Sequence, residues 1–139
     1  MQPVRSVGWI QSSRYFLLVA LLAAAFYPKS ATAETKVVTD ADKGSKVHLK
    51  VGDTLEVRLN SNPTTGYMWY VHKASTPLMK LVHQSQTEPA APGVGRPVVQ
   101  VFTFEPRRAG DGVLLLHYVR AWEKPDPDEE QFTVHVVIE

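Results

Sequence analysis

Alternation of apolar and polar residues is the feature that most constrains how this chain can fold. It is clearest in Val47–Val51, Leu55–Leu59 and Phe132–Ile138, and no stretch after residue 45 has the three-to-four-residue spacing of an amphipathic helix. Because successive side chains of a strand point to opposite faces, alternation indicates strands with one buried and one hydrated face. Turn signals separate further segments of this kind. The predicted strands are 47–51, 55–59, 67–72, 79–83, 98–104, 113–122 and 132–138.

Seven short strands joined by turns predict an all-β fold, an Ig-like antiparallel sandwich of two sheets. A small closed barrel is the alternative. The unbroken apolar run Val113–Leu116 predicts that its strand is buried on both faces. The chain has no Cys, which excludes disulfides, a thiol nucleophile and Cys-ligated zinc. The apolar core alone must therefore stabilise the domain.

Residues 1–33 have the order of a secretory signal peptide. Arg5 and Arg14 precede the apolar run Tyr15–Phe26, and the small-residue triplet Ala31-Thr32-Ala33 follows. The run of 12 residues is shorter than the roughly 20 that a membrane-spanning helix needs. The pattern predicts a signal-peptide helix that is cleaved after Ala33, so that no stable membrane anchor remains. The protein is then exported to a periplasm or the extracellular space, with a flexible lead-in at 34–45 and an Ig-like domain at 46–139.

The charge of the domain gives no reason to expect nucleic acid as a partner. Residues 1–33 hold three of the fifteen basic residues and none of the fourteen acidic ones, so the mature chain has a formal charge of −2. Proteins that bind nucleic acid carry a basic patch or stripe, because their affinity comes largely from phosphate contacts.

No residue pattern predicts catalysis, a cofactor or a metal site. The histidines form no H-x-H or H-x-x-x-H pair, and no G-x-S-x-G motif is present. The carboxylates of Asp126–Glu130 lie among prolines, which is typical of a solvated loop rather than of an acid/base pair. The chain is therefore predicted not to be an enzyme, and nothing in it requires more than a monomer.

Three loops have the composition of contact surfaces. The first contains Asn62, Pro63, Thr64, Thr65, Gly66 and Tyr67. Pro63 restricts its own φ and that of Asn62, and Gly66 permits positive φ, so the tip is predicted to keep one shape. The second loop contains Gly93, Val94, Gly95 and Arg96, and the third segment is Arg120, Ala121 and Trp122. Arg and Trp are frequent among the residues that dominate interfaces.

These three motifs, in this order, resemble the chagasin family of cysteine peptidase inhibitors. The resemblance covers about residues 49–137, and the hexapeptide Asn62–Tyr67 is its most specific part. It implies an Ig-like sandwich and tight, reversible inhibition of papain-like (clan CA) cysteine peptidases. It also implies that Thr64 and Thr65 sit over the catalytic Cys/His pair, with Gly93–Arg96 along one wall of the cleft and Arg120 and Trp122 on the other.

Two positions depart from the family pattern. The second loop of the family usually reads Gly-x-Gly-Gly, whereas Arg96 takes the last position here. Arg96 is expected either to narrow the range of enzymes that fit or to add a contact to an acidic rim. The third segment usually reads Arg-Pro-Trp, and Ala121 replaces the Pro. Since Ala restrains the backbone less than Pro, a lower affinity is expected.

Two other functions fit the same composition. One is an Ig-like adhesion or assembly module whose loops or sheet edge bind another protein. The other is a small periplasmic metal or ligand carrier that uses the histidines.

Overall fold

The computed structural model describes residue 3, residues 32–87 and residues 97–139. The predicted signal-peptide helix therefore lies almost entirely outside the described residues, and so does the predicted contact loop Gly93–Arg96. Ala33–Glu139 make one compact unit. Within the described residues, no helix has both the length and the apolar character needed to cross a membrane.

The described residues confirm the all-β prediction, with two sheets and one strand more than the seven expected. One sheet has the order β1-β3-β6-β5 and the other β2-β8-β7-β4. Short 3₁₀ turns cover Asp40–Asp42 and Pro63–Thr65. The strands are β1 Thr35–Thr39, β2 Lys46–Leu49, β3 Thr54–Ser61, β4 Met68–Val71, β5 Met79–Gln86, β6 Val98–Pro106, β7 Gly110–Val119 and β8 Glu130–Ile138.

The prediction of a flexible lead-in at 34–45 is wrong. This segment forms β1, which pairs in parallel with β3, and then a 3₁₀ turn that leads to β2 in the other sheet. Strand β2 also pairs in parallel, with β8, so the sandwich is not wholly antiparallel. The alternation signal is weak here because β1 is an edge strand that buries only Val38.

The core lies between the inner faces of the two sheets, as the alternating pattern requires. Each of the ten central side chains is at most 1% exposed. Because core side chains are closely packed, they hold the strands, and so the strand ends that carry the loops, in fixed positions. One sheet supplies Leu55, Val57, Leu59, Phe102 and Phe104, and the other supplies Leu114, Leu116, Phe132, Val134 and Val136.

The apolar run in β7 is not buried on both faces. Leu114 and Leu116 point into the core, whereas Val113 is 37% exposed and Leu115 is half-buried. The predicted strand 113–122 included Trp122, which is wrong. Strand β7 ends at Val119, so Trp122 lies beyond it. The outer face of β7 is only partly covered because no third layer of structure packs on it among the described residues.

A buried glutamine ties the two sheets together next to the first predicted contact loop. Gln100 on β6 is 1% exposed, and its Oε1 accepts a hydrogen bond from the backbone N–H of Trp69 at 2.8 Å. Its Nε2 donates to the carbonyl of the same residue at 3.3 Å. The indole Nε1 of Trp69 donates to the carbonyl of Asn60 at 2.8 Å. Strand β4 is thereby held against β3 and β6, and the loop between β3 and β4 has a fixed base.

Asp53 makes the beginning of the fold sensitive to acid. Its carboxylate accepts backbone N–H bonds from Glu34 at 3.0 Å and from Lys50 at 2.8 Å. These two hydrogen bonds hold the pKa of Asp53 below its ordinary value of 3.8, and the bond from Glu34 has the larger effect. A lowered pKa in the folded state stabilises the protein above the unfolded pKa, and this stabilisation is lost as the pH falls through the folded value.

We therefore expect Asp53→Asn to remove one acid-sensitive part of the stability. Between about pH 5 and about pH 2, the free energy of unfolding of the unaltered protein should fall more steeply than that of the variant. Urea unfolding at a series of pH values measures both profiles. Parallel profiles would show that Asp53 does not contribute.

Candidate functional site

The first predicted contact loop, residues 62–67, is a closed turn at one end of the sandwich. Pro63–Thr65 form a 3₁₀ turn, and Gly66 ends it in the left-handed region at φ 86°. The N–H of Thr65 donates to the carbonyl of Asn62 at 3.1 Å, and that of Gly66 donates to the carbonyl of Pro63 at 2.9 Å. Asn62 and Tyr67 pair across the base of the loop as an antiparallel bridge. The loop is thus rigid before it meets any partner.

The two threonines at the tip are exposed, but their hydroxyl groups bond within the loop. The Oγ1 of Thr64 donates to Oδ1 of Asn62 at 2.8 Å, and the Oγ1 of Thr65 donates to the carbonyl of Asn62 at 2.7 Å. Such local bonds from Thr and Asn side chains are typical of tight turns. The hydroxyl groups therefore help to maintain the shape of the tip.

Arg120, from the third predicted segment, links that segment to the first loop. Its Nε donates to the carbonyl of Thr65 at 3.0 Å, across 55 positions of sequence, and its guanidinium carbon lies 4.4 Å from the ring centroid of Tyr67. Its Nη1 bonds Glu123 at 2.9 Å. The hydrogen bond to Glu123 is the main cause that raises the pKa of Arg120 above its ordinary value, and the nearby Tyr67 contributes less. The guanidinium therefore keeps its charge, which both the cation–π contact and the ion pair require.

Trp122 lies on the surface of the first loop. A Cβ atom on Gly66 would come within 2.3 Å of Cη2 and 2.8 Å of Cζ2 of the Trp122 indole. Even so, the Trp122 residue is 73% exposed, which makes it the most exposed large apolar residue that the structure describes. An exposed indole that rests on glycine has one face fixed and the other available to a partner.

Gly66 therefore has two roles: it accepts the left-handed backbone conformation, and it leaves room for the Trp122 indole. The variant Gly66→Ala, compared with a control that shares only the first role, should show the effect of the second. Left-handed φ costs a non-glycine residue roughly 1–2 kcal/mol, and the added methyl group would displace Trp122. Gly44 is the matched control, because it has φ +78° with nothing within 4 Å of its Cβ position. We expect both Ala variants to lose similar stability in thermal unfolding, whereas only Gly66→Ala should lose Trp122-dependent binding.

A stack of aromatic rings supports the two loops from below. The ring of Tyr118 lies 5.5 Å from that of Tyr67 and 5.0 Å from that of Trp69, measured between centroids. The hydroxyl of Tyr118 also accepts the backbone N–H of Asn62 at 2.9 Å. Sequence reasoning did not identify Tyr118, Glu123 or Gln100 as part of the site. The only signal for Tyr118 was its position two residues before Arg120.

Strand register places the strand ends next to the first loop and the third segment, together with the beginning of β6, at one end of the sandwich. Ser61, just before the first loop, pairs with Val98, which begins β6 shortly after the predicted second loop. Met68, just after the first loop, pairs with Val119, which ends β7 before the third segment. We call residues 62–67 and Arg120–Trp122 together the two-loop rim. Arg120 lies in this rim and contacts the first loop, and its predicted contact with a peptidase stays a prediction.

The comparisons with known proteins agree with this geometry. Residues 48–136 match the family described as Chagasin family peptidase inhibitor I42. Chagasin from Trypanosoma cruzi is 32% identical over 103 residues, which cover 71% of this chain and 94% of chagasin. Amoebiasin-2 from Entamoeba histolytica is 27% identical over 126 residues, covering 90% of this chain and 98% of amoebiasin-2.

The fold is also found among solved structures. The crystal structure of a cysteine protease inhibitor from Entamoeba histolytica has a TM-score of 0.66 to this chain at 24% identity, and the match covers 81% of this chain and 100% of that one. This likeness concerns the fold. The family match includes strands β3 to β7, most of β8 and the whole two-loop rim. The chain therefore belongs to the chagasin family of peptidase inhibitors.

Proposed function

We propose that the two-loop rim inhibits papain-like cysteine peptidases by filling their active-site cleft without a covalent bond. As a member of its family the protein is a peptidase inhibitor and not an enzyme. The observation that carries the proposal is the braced tip at Thr64 and Thr65 with the exposed Trp122 beside it. These residues form a pre-shaped, exposed surface, and the second loop, Gly93–Arg96, is proposed to add a third contact.

The braced tip explains why such a surface would resist cleavage. A peptidase cuts segments that can extend through its cleft, but residues 62–66 are closed by two backbone bonds and by the Arg120 bond to Thr65. Extending the loop would break these hydrogen bonds and separate Gly66 from the Trp122 indole. Since the loop is ordered before binding, little conformational entropy is lost when the complex forms.

Titration of papain with the chain from Glu34 to Glu139 tests the function. We expect inhibition that is stoichiometric at enzyme concentrations well above the dissociation constant, reversed by dilution, and free of cleaved inhibitor on electrophoresis. Absence of inhibition at micromolar protein would contradict the proposal and favour the adhesion module. A related test uses a serine peptidase, which should not be inhibited because its cleft and nucleophile differ.

Trp122→Ala should weaken inhibition of papain by tenfold or more, which corresponds to about 1.4 kcal/mol. The indole is a large apolar surface whose free face a partner can bury, and its exposure means that folding does not depend on it. Val51→Ala is a matched control, since Val51 is also exposed but lies outside the two-loop rim. An unchanged inhibition constant in a variant with normal thermal unfolding would show that Trp122 makes no contact with the enzyme.

We also propose that the protein is exported and that cleavage follows Ala33. The proposal is supported by the charge and apolar pattern of residues 1–33. It also fits a contact of the β domain, since the backbone N–H of Glu34, the residue that would follow the cleavage, bonds Asp53. N-terminal sequencing of the protein recovered outside the cytoplasm should begin at Glu34. Recovery of the unprocessed chain in the cytoplasm would contradict this proposal without affecting the inhibitor assay.

A further inference from the structure

We propose that His72, His117 and Glu129 form a binding site for a divalent transition metal, and that Zn²⁺ fits the site best. One ligand atom from each residue lies within 4.8 Å of the other two. The three ligand residues are not members of the two-loop rim, although the cleft that they line also borders Tyr67 and Arg120, and the proposal does not rest on peptidase inhibition. Sequence spacing did not predict the site, because the three residues lie on or next to three different strands.

Three adjacent strands bring the ligands together. In the sheet order β8-β7-β4, Glu129 immediately precedes β8, His117 lies on β7 and His72 immediately follows β4. His117 pairs with Gln131 on one side and with Tyr70 on the other. Because alternate residues share a face, His72 lies on the same face as Tyr70, and Glu129 reaches this face from beside Gln131. The backbone ladder therefore sets the spacing of the ligands.

The separation of His117 and Glu129 already suits a shared ion, and the nearest ligand atom of His72 lies within 4.8 Å of both. The Nδ1 of His117 lies 2.8 Å from Oε1 of Glu129, and the rings of His72 and His117 are 4.9 Å apart between centroids at an interplanar angle of 88°. A metal about 2 Å from each ligand atom places neighbouring ligand atoms roughly 3 Å apart. The ion would take the place of the proton that His117 and Glu129 now share.

The surroundings favour a cation. The side chains of His117 and Glu129 are 22% and 10% exposed, so water screens them only in part. The three residues line a cleft of about 970 Å³ whose walls carry five carboxylates and three basic side chains. Two imidazole nitrogens and one carboxylate oxygen, with an open position towards this cleft, form a ligand set that suits zinc. Calcium and magnesium prefer oxygen ligands throughout.

One existing hydrogen bond must change when the metal binds. The Nδ1 of His72 accepts the backbone N–H of Ala74 at 3.0 Å, so this ring carries its proton on Nε2. For the metal to bind at Nε2, the proton must move to Nδ1 and the Ala74 amide must turn to water. Ala74 is exposed, so water can replace the lost partner. The change affects one hydrogen bond at the surface and leaves the strand pairing intact.

Isothermal titration of the tag-free chain Glu34–Glu139 with zinc chloride tests the site. We expect one Zn²⁺ per chain, and Co²⁺ in its place should give the visible absorption bands of a four-coordinate nitrogen and oxygen site. His72→Asn and Glu129→Gln should each weaken zinc binding by at least about tenfold. The matched controls are His83→Asn and Glu105→Gln, which alter an exposed histidine and an exposed glutamate of the other sheet.

Thermal unfolding provides a second measurement that does not depend on titration heats. Excess zinc should raise the melting temperature of the unaltered protein and of both controls, because a ligand that binds only the folded state stabilises it. The rise should be absent in His72→Asn and Glu129→Gln, and melting without zinc shows whether these variants are folded. No binding by the unaltered protein, or equal binding in all variants, would overturn the proposal.

Discussion

Replacing Thr64 and Thr65 together by Asp should abolish most of the inhibitory power, with a loss of at least about hundredfold in the inhibition constant for papain, or about 2.7 kcal/mol. Both residues are exposed in the free protein, so water solvates the new carboxylates there. In a filled cleft the same carboxylates would lose much of their water, which is costly, and they would lie close to the negatively charged catalytic thiolate. The inhibition constant, measured by titrating papain activity, checks this expectation.

A serine variant separates charge from shape at the same positions. Thr64→Ser with Thr65→Ser keeps the hydroxyls that bond Asn62 and adds no charge, so we expect it to retain inhibition within a fewfold. The Asp variant should lose at most a modest part of its stability, since each exposed hydrogen bond contributes about 1 kcal/mol. A melting temperature that collapses in the Asp variant would mean that the loop is structural. Unchanged inhibition would mean that the tip does not enter the cleft.

Gln100→Met should cause the largest loss of stability of any single change considered, about 2–4 kcal/mol in the free energy of unfolding. Methionine matches the volume of glutamine but cannot bond the N–H and carbonyl of Trp69. Both groups would remain buried without partners, because the surrounding residues at this point are apolar. Urea unfolding measures the change.

The control for Gln100 is an exposed glutamine on the neighbouring strand. Gln86 pairs with Gln100 across β5 and β6 but faces solvent at its own position, so Gln86→Met should change stability by less than about 0.5 kcal/mol. We also expect the folded fraction of Gln100→Met to inhibit papain less well, because β4 carries one end of the loop 62–67. A loss of stability no larger than that of Gln86→Met would show that the bonds to Trp69 contribute little.

Arg120 stabilises the two-loop rim from within, whereas the composition of the segment Arg120–Trp122 suggests a direct contact with a partner. An Arg beside a Trp at a strand end is typical of a direct interface contact. In the structure, Arg120 bonds the carbonyl of Thr65 and the carboxylate of Glu123, and it covers the ring of Tyr67. These contacts hold the first loop in place in the free protein. This role depends on the pairing of β4 with β7, which local sequence does not reveal.

Local sequence was enough to predict most strands and the shape of the first loop. A strand repeats every two residues, so alternation alone shows which side chains of β3 and β8 enter the core. The turn at 62–67 likewise depends on neighbouring residues, since Pro63 restricts φ and Gly66 accepts the left-handed region. Strand β1 was missed because an edge strand with one buried residue produces little alternation.

The contacts that make a site depended on tertiary structure. Trp122 meets Gly66, Arg120 meets Thr65, and Glu129 meets His117 only because particular strands are neighbours in particular register. Register is set by the sum of many core contacts between distant segments, and a shift of one residue would turn every side chain of a strand to the opposite face. The sequence pattern thus specified the strands and turns of this protein, whereas the packing of the two sheets decided which of their residues meet.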